Sequence, residues 1–252
     1  MTGMNEAACA AGGPIEQVGA IFMLHPQTFA GSVAAGYENP FAGYVLGRGG
    51  VLPDPTGDSV ASTFLVFEPN LIRTLWDQGI AVRPAGEAAQ LYWHQAADFG
   101  RKYLADAEGL GRIAELGEKV IAATPAGGLP LYGGWRAMPL ADDASARALQ
   151  VMFVLRELRG DVHFNELRDS GIQPVEAHML NKGPEYAAMF GWPEPYADGA
   201  DKKDRYAEVR EATNDRMAEI FSAALTLDEA EELARLTTSA LASLTAATAG
   251  SD

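Results

Sequence analysis

Twelve consecutive residues, "RELRGDVHFNEL" at 156–167, hold two arginines, two glutamates, an aspartate and a histidine around one glycine. His163 stands two residues after Asp161, and an imidazole near a carboxylate is a general acid–base pair with a tunable pKa. Glu211 and Asp215 are four apart and share one face of the helix expected around them, so they could bring further carboxylates to the same centre. Arg156 and Arg159 suit a ligand carboxylate or phosphate, or pairing with those acids. The same residues admit an architectural reading, in which Asp161 caps a helix, Arg159 forms an ion pair and His163 is an interfacial histidine with its hydrogen bonds met. Trp135 and Trp192, with Tyr92, Trp93 and Tyr132, fit either an apolar ligand pocket or a packed core. Trp135, beside Arg136 in the glycine-rich "PAGGLPLYGGWRAMPL", is the most pocket-like of these.

Other chemistries find little support. His163 and His178 are too far apart for adjacent turns of one helix and form no HExxH pattern, so no metal site is assigned. His25 and His94 stand alone and read as packing or surface. The chain lacks a dinucleotide or phosphate-loop glycine motif and a GxSxG elbow, so no cofactor is named and no serine nucleophile is found. Cys9 is the single cysteine, which excludes an internal disulfide and fits a cytoplasmic protein. No run of about 18 apolar residues is apparent, so no membrane association is expected.

Charge weighs against nucleic acid as a partner. With 34 acidic residues against 19 Lys and Arg, the net charge is −15, whereas DNA affinity draws on cations that neutralise phosphates. A local basic stripe is also missing. Between 159 and 185, Arg159, Arg168 and Lys182 stand against Asp161, Glu166, Asp169, Glu176 and Glu185.

The elements that must position these residues read as mainly helical. The first 14 residues are small and glycine-rich and read as a flexible tail. A boundary falls before Pro26, and "STFLVFEPNLIRTLW" reads as a strand running into a helix that starts at Pro69. A long helical stretch follows, broken near Gly109. Asp142 and Asp143 mark a helix start, Gly160 reads as a left-handed stop with Asp161 capping a new helix, and Gly171 closes that one. Pro174 opens a further helix, "FGWPEPYADGADKKDR" reads as a polar wing, and Thr226 with Glu229 forms a capping box for the last helix. Helix, glycine turn, helix and wing is the winged helix-turn-helix order. A fainter echo, "FAGY" before a glycine-rich stretch and "MFGW" before the polar one, points to two related halves, residues 15–138 and 139–247, with a second tail at 248–252.

The motif order "YVLGRGGVLPD", "GLPLYGGW", "VLRELRGDVHFNELRDSGIQPVEAHML", "FGWPEPY" and "VREATNDRM" resembles an actinobacterial helix-turn-helix-like family of about 250 residues, some members of which lie near secondary-metabolite genes. The resemblance spans about residues 15–245. It implies two winged-helix-like halves with small β-wings and recurring polar positions at Arg48, Arg156, Glu157, Arg159, Asp161, His163, Glu176, Trp192, Glu211, Thr213 and Asp215. It implies no agreed activity. Leu158 replaces a histidine common in the family, and the wing here is short. The expectation is therefore a small-molecule-binding protein on a repurposed winged-helix fold. In its enzymatic version His163 is acid or base, Asp161 or Glu211 orients it, and Arg48 or Arg159 holds an anion. The alternative is a helix-turn-helix transcriptional regulator, and the long C-terminal helices suit a homodimer.

Overall fold

The computed structural model describes residues 2–249. Its elements are α1 (Thr2–Leu24), α2 (Pro26–Ala34), α3 (Pro40–Gly49), α4 (Gly57–Thr63), α5 (Pro69–Ile80), α6 (Ala85–Tyr103), α7 (Leu110–Ala123), α8 (Pro130–Trp135), α9 (Ala144–Ser170), α10 (Pro174–Asn181), α11 (Pro184–Met189), a 3-10 turn at Ala200–Lys202, α12 (Lys203–Ala224) and α13 (Leu227–Ala249). The fold is mainly α, as expected, but no strand and therefore no β-wing occurs among the described residues.

Helix α9 is the axis. The run "VMFVL" at 151–155 is apolar on every side, and a helix of that kind must be enclosed. It packs against α1, α6, α7, α8 and α12. Asp143 caps its N-terminus by accepting from the Ala146 amide at 3.0 Å, and Gly171 ends it in the left-handed conformation at φ 75°. Gly160 does not end it. The expected stop at Gly160 and restart at Asp161 are overturned: one helix of 27 residues runs through both. A mid-helix glycine costs about 1 kcal/mol, and here that is outweighed because Glu157, Leu158, Asp161, Val162, Phe164 and Leu167 are all buried on either side of it.

The N-terminal tail is also corrected. Residues 2–14 belong to α1, which carries Gly12, Gly13 and Pro14 in its interior and buries Ala7, Ala8, Ala11, Ile15 and Val18. Small residues let backbones approach closely, and α1 lies against α13, α9 and α12. Gly3–Leu24 is long and apolar enough, at mean hydropathy 1.3, to meet a membrane-span criterion of length and composition, yet half of it is buried inside the protein. Helix α13 extends to Ala249, so 248 and 249 are helical, and the rest of the expected C-terminal tail lies outside the described residues.

Two further expectations change. "STFLVF" closes α4 and turns, with Phe64 buried in the core, and Pro69 opens α5 behind a Glu68 cap as its sequence position predicts. Residues 192–199 form an irregular loop in place of a wing, and the Val66 carbonyl accepts from the Trp192 indole at 2.9 Å. The main core draws residues from both sides of 138/139. Trp135 meets Phe153 edge to face at 5.0 Å, and Phe22 meets Phe153 at 6.1 Å. A smaller apolar cluster of Leu167, Ile172, Ala177, Tyr206 and Val209 sits where α9, α10 and α12 meet.

Candidate functional site

Arg48 lies in the last turn of α3 and points across the core to Glu157 of α9. Its Nε donates to Oε1 at 3.0 Å and its Nη2 to Oε2 at 2.7 Å, the two-pronged geometry that makes arginine–carboxylate pairs strong. The remaining Nη1 donates to the Tyr44 hydroxyl one turn back at 3.0 Å, and the guanidinium carbon stands 4.6 Å from the centre of the Phe64 ring. Arg156 adds a second cation, its Nη1 donating to Glu157 Oε1 at 2.8 Å. Side-chain exposure is 5% for Arg48, 0% for Glu157 and 22% for Arg156, so only Arg156 is reached from solvent.

Burial alone would raise the Glu157 pKa, but the charges of Arg48 and then Arg156 hold it below the usual carboxylate value. Burial also opposes the Arg48 charge, and Glu157 more than offsets it, lifting that pKa further. The cluster is thus two cations around one anion. At the cluster, Arg156 Nε and the Tyr92 hydroxyl are buried and have no hydrogen-bond partner, and Trp135 Nε1 in the adjoining aromatic core has none either. Burial pushes the Tyr92 phenol well above its ordinary pKa. The neighbouring Tyr44 adds to that rise, while Arg48 and Arg156 oppose it. Trp135 stacks on Trp93 at 5.3 Å and lies 6.1 Å from the Tyr92 ring.

Asp161 and His163 do not form the expected pair. Positions two apart on an α-helix point about 200° away from each other. Asp161 faces α8, where its Oδ2 accepts from the Tyr132 amide at 2.9 Å. Burial raises its pKa to about 7 against that hydrogen bond, and the Glu157 charge adds to the rise. His163 faces α12, with Nδ1 at 3.2 Å from Thr213 Oγ1. Burial, then the Arg159 charge, lower it to about 4; Glu16 opposes this and Arg210 adds to it.

The remaining expected residues scatter. Glu211 and Asp215 are exposed on α12 and, with Asn5, Ala207, Arg210 and Asn214, line a surface cleft of about 340 Å³. Asp215 accepts from Asn5 at 2.5 Å, and Arg159 donates to Asn214 at 3.0 Å. A second cleft of about 330 Å³, lined by Thr124, Val162, Asn165, Arg216 and Ile220 among others, lies between the loop after α7 and the helices α9 and α12. Trp135 is fully enclosed in the core, whereas Trp192 sits by the smaller apolar cluster, sharing the Val66 carbonyl with His178 Nε2 at 2.7 Å. Among the described residues no three His, Cys, Asp or Glu side chains gather to hold a metal ion. Sequence reasoning missed the pairing of Arg48 with Glu157 and the polar role of Tyr92. A usable signal existed in "YVLGRGG", where a lone charge ends an apolar helix.

A helix-turn-helix family model matches residues 8–250. The chain belongs to this helix-turn-helix family. Comparison with curated proteins and with solved structures gives no match. In this helix-turn-helix family member the end of α9 at Gly171 and the start of α10 at Pro174 stand where the sequence places them. Two polar side chains of α10, Glu176 and His178, turn inward. Glu176 accepts from the Gln173 amide at 2.8 Å and from Lys202 at 2.7 and 2.6 Å, and His178 is buried against Val66. Gln173, Asn181 and Lys182 are its exposed polar residues.

Proposed function

We propose that this helix-turn-helix family member is a small-molecule-binding protein whose ligand engages the cluster of Arg48, Glu157, Arg156 and Tyr92. The supporting observation is the pair of buried, unpartnered donors at that cluster, Arg156 Nε and the Tyr92 hydroxyl. Buried polar groups in native proteins nearly always have partners, and each exception calls for an explanation. A bound molecule that accepts hydrogen bonds provides one. The enzymatic version built on His163 has less behind it, since Asp161, Glu211 and Asp215 all lie away from the imidazole's own hydrogen bond. A thermal-shift screen of metabolites against the wild type, Tyr92→Phe and His163→Ala tests the reading. Stabilisation lost in Tyr92→Phe and kept in His163→Ala is expected, because a ligand that binds only the folded state raises its melting temperature. Stabilisation that depends on His163 instead would move the site to α12.

A transcriptional regulator is the second reading, favoured by the α9–α10 corner. Its direct form predicts salt-dependent binding to DNA upstream of its own gene. Absence of binding at low salt would end that form and leave metabolite sensing for a partner protein.

A further inference from the structure

We propose that the ligand of the Arg48–Glu157–Arg156 cluster is a monocarboxylate with an apolar body, an inference that rests on the binding role proposed above. Three observations meet here. The first is the kind of hydrogen bonding left over. Among the described residues the buried side-chain atoms without a partner are Tyr37 Oη, Arg83 Nε, Tyr92 Oη, Trp135 Nε1 and Arg156 Nε. Three of these can only donate and the two phenols can donate, while no carboxylate or amide oxygen is left over. What the interior lacks is an acceptor.

The second observation is charge. Two guanidiniums, Arg48 buried and Arg156 22% exposed, face a single carboxylate, Glu157, so the cluster carries one formal positive charge in excess, at its solvent-facing end. A single negative charge balances it, whereas the double charge of a phosphate monoester would overshoot. Asp161, the next acid along α9, is turned instead to the Tyr132 amide at 2.9 Å.

The third is the surroundings and the way in. Phe22, Tyr92, Trp93, Trp135 and Phe153 make a buried aromatic cluster, with neighbouring ring centres 5.0 to 6.1 Å apart. An apolar body attached to the carboxylate would lie against it. Arg156 is the partly exposed member, held by one hydrogen bond to Glu157 while its Nε has none. Helix α1 crosses it at Gly19, where a Cβ would fall 2.3 Å from Arg156 Cδ. Helix α1 therefore packs directly over Arg156.

The test is calorimetric titration and thermal shift of the full chain with benzoate, benzyl alcohol and phenyl phosphate, using wild type, Tyr92→Phe, Arg156→Met and His163→Ala. Saturable benzoate binding is expected, at least tenfold tighter than either other probe. It should weaken tenfold or more in Tyr92→Phe and Arg156→Met and stay unchanged in His163→Ala. Circular dichroism of the unliganded variants checks folding, and Tyr92→Phe, which deletes one oxygen, serves if Arg156→Met does not fold. Benzyl alcohol or phenyl phosphate binding as tightly as benzoate overturns the carboxylate assignment, as does benzoate binding that ignores Tyr92→Phe. If benzoate fails but the metabolite screen finds a ligand sensitive to Tyr92→Phe, the carboxylate is wrong and the binding role stands. If neither gives binding, both fall.

Discussion

Asp161 and His163 sit one residue apart from being neighbours, yet their titrations act on the fold in opposite directions. Folded Asp161 keeps a proton up to about pH 7 that the unfolded chain loses near 3.8, so this group makes stability fall as pH rises between those values. Folded His163 refuses a proton until about pH 4 that the unfolded chain takes up near 6.5, so it makes stability rise with pH over that window. In the wild type the two largely offset each other. Removing one exposes the other: His163→Gln should lose stability from pH 4.5 to 6.5, and Asp161→Asn should gain it, each at a slope of up to about 1.4 kcal/mol per pH unit. Urea denaturation at the two pH values reads both slopes, and a variant slope equal to that of the wild type would contradict the assignment. The ion cluster gives a second prediction at this scale. Glu157→Gln leaves two cations unpaired near the core, and loss of one partner of a buried pair costs on the order of 3–5 kcal/mol. The double variant Arg48→Met/Glu157→Met should be more stable than Glu157→Gln in the same denaturation assay, because it removes the charge together with its partner.

Elements show where local rules hold and where packing overrides them. Gly160 lies in mid-helix with open space where a Cβ would go, while Gly171 holds φ 75° at the end of α9. Gly160→Ala should therefore stabilise the protein by about 0.5–1 kcal/mol, through a lower entropy of the unfolded chain. Gly171→Ala should destabilise it by about 1 kcal/mol, since a side chain there strains the left-handed turn. Thermal melts of the two variants should shift in opposite directions. Caps were the most legible features. Asp143, Gly171, the proline at the start of α5 and the Thr226–Glu229 box all stand where the sequence puts them, because each depends on contacts within a few residues. The glycines of α1 and Gly160 misled for the complementary reason. Their local preference against helix is small, and the burial of their neighbours against other helices is large.

At the scale of the molecule, the common core carries a consequence for cooperativity. Trp135, Phe22 and Arg48 on one side of residue 138 close on Phe153 and Glu157 on the other. Chemical denaturation should follow a single transition by near- and far-ultraviolet dichroism alike, and residues 1–138 expressed alone should not show the cooperative melt of the full chain. Two separated transitions would instead support independent halves. The candidate site divides along the same line. The sequence and its resemblance identified Arg48, Arg156, Trp135 and the α9 segment as positions of interest, but grouped them around His163. What the sequence by itself determined was the helical class, the caps and the net charge of −15, since these follow from composition and from neighbours along the chain. Which face of α9 meets which helix was decided by tertiary packing. Glu157 finds Arg48 across 109 residues of chain, Asp161 turns to α8 and His163 to α12, because each side chain goes where the surrounding helices leave a partner in an otherwise apolar interior.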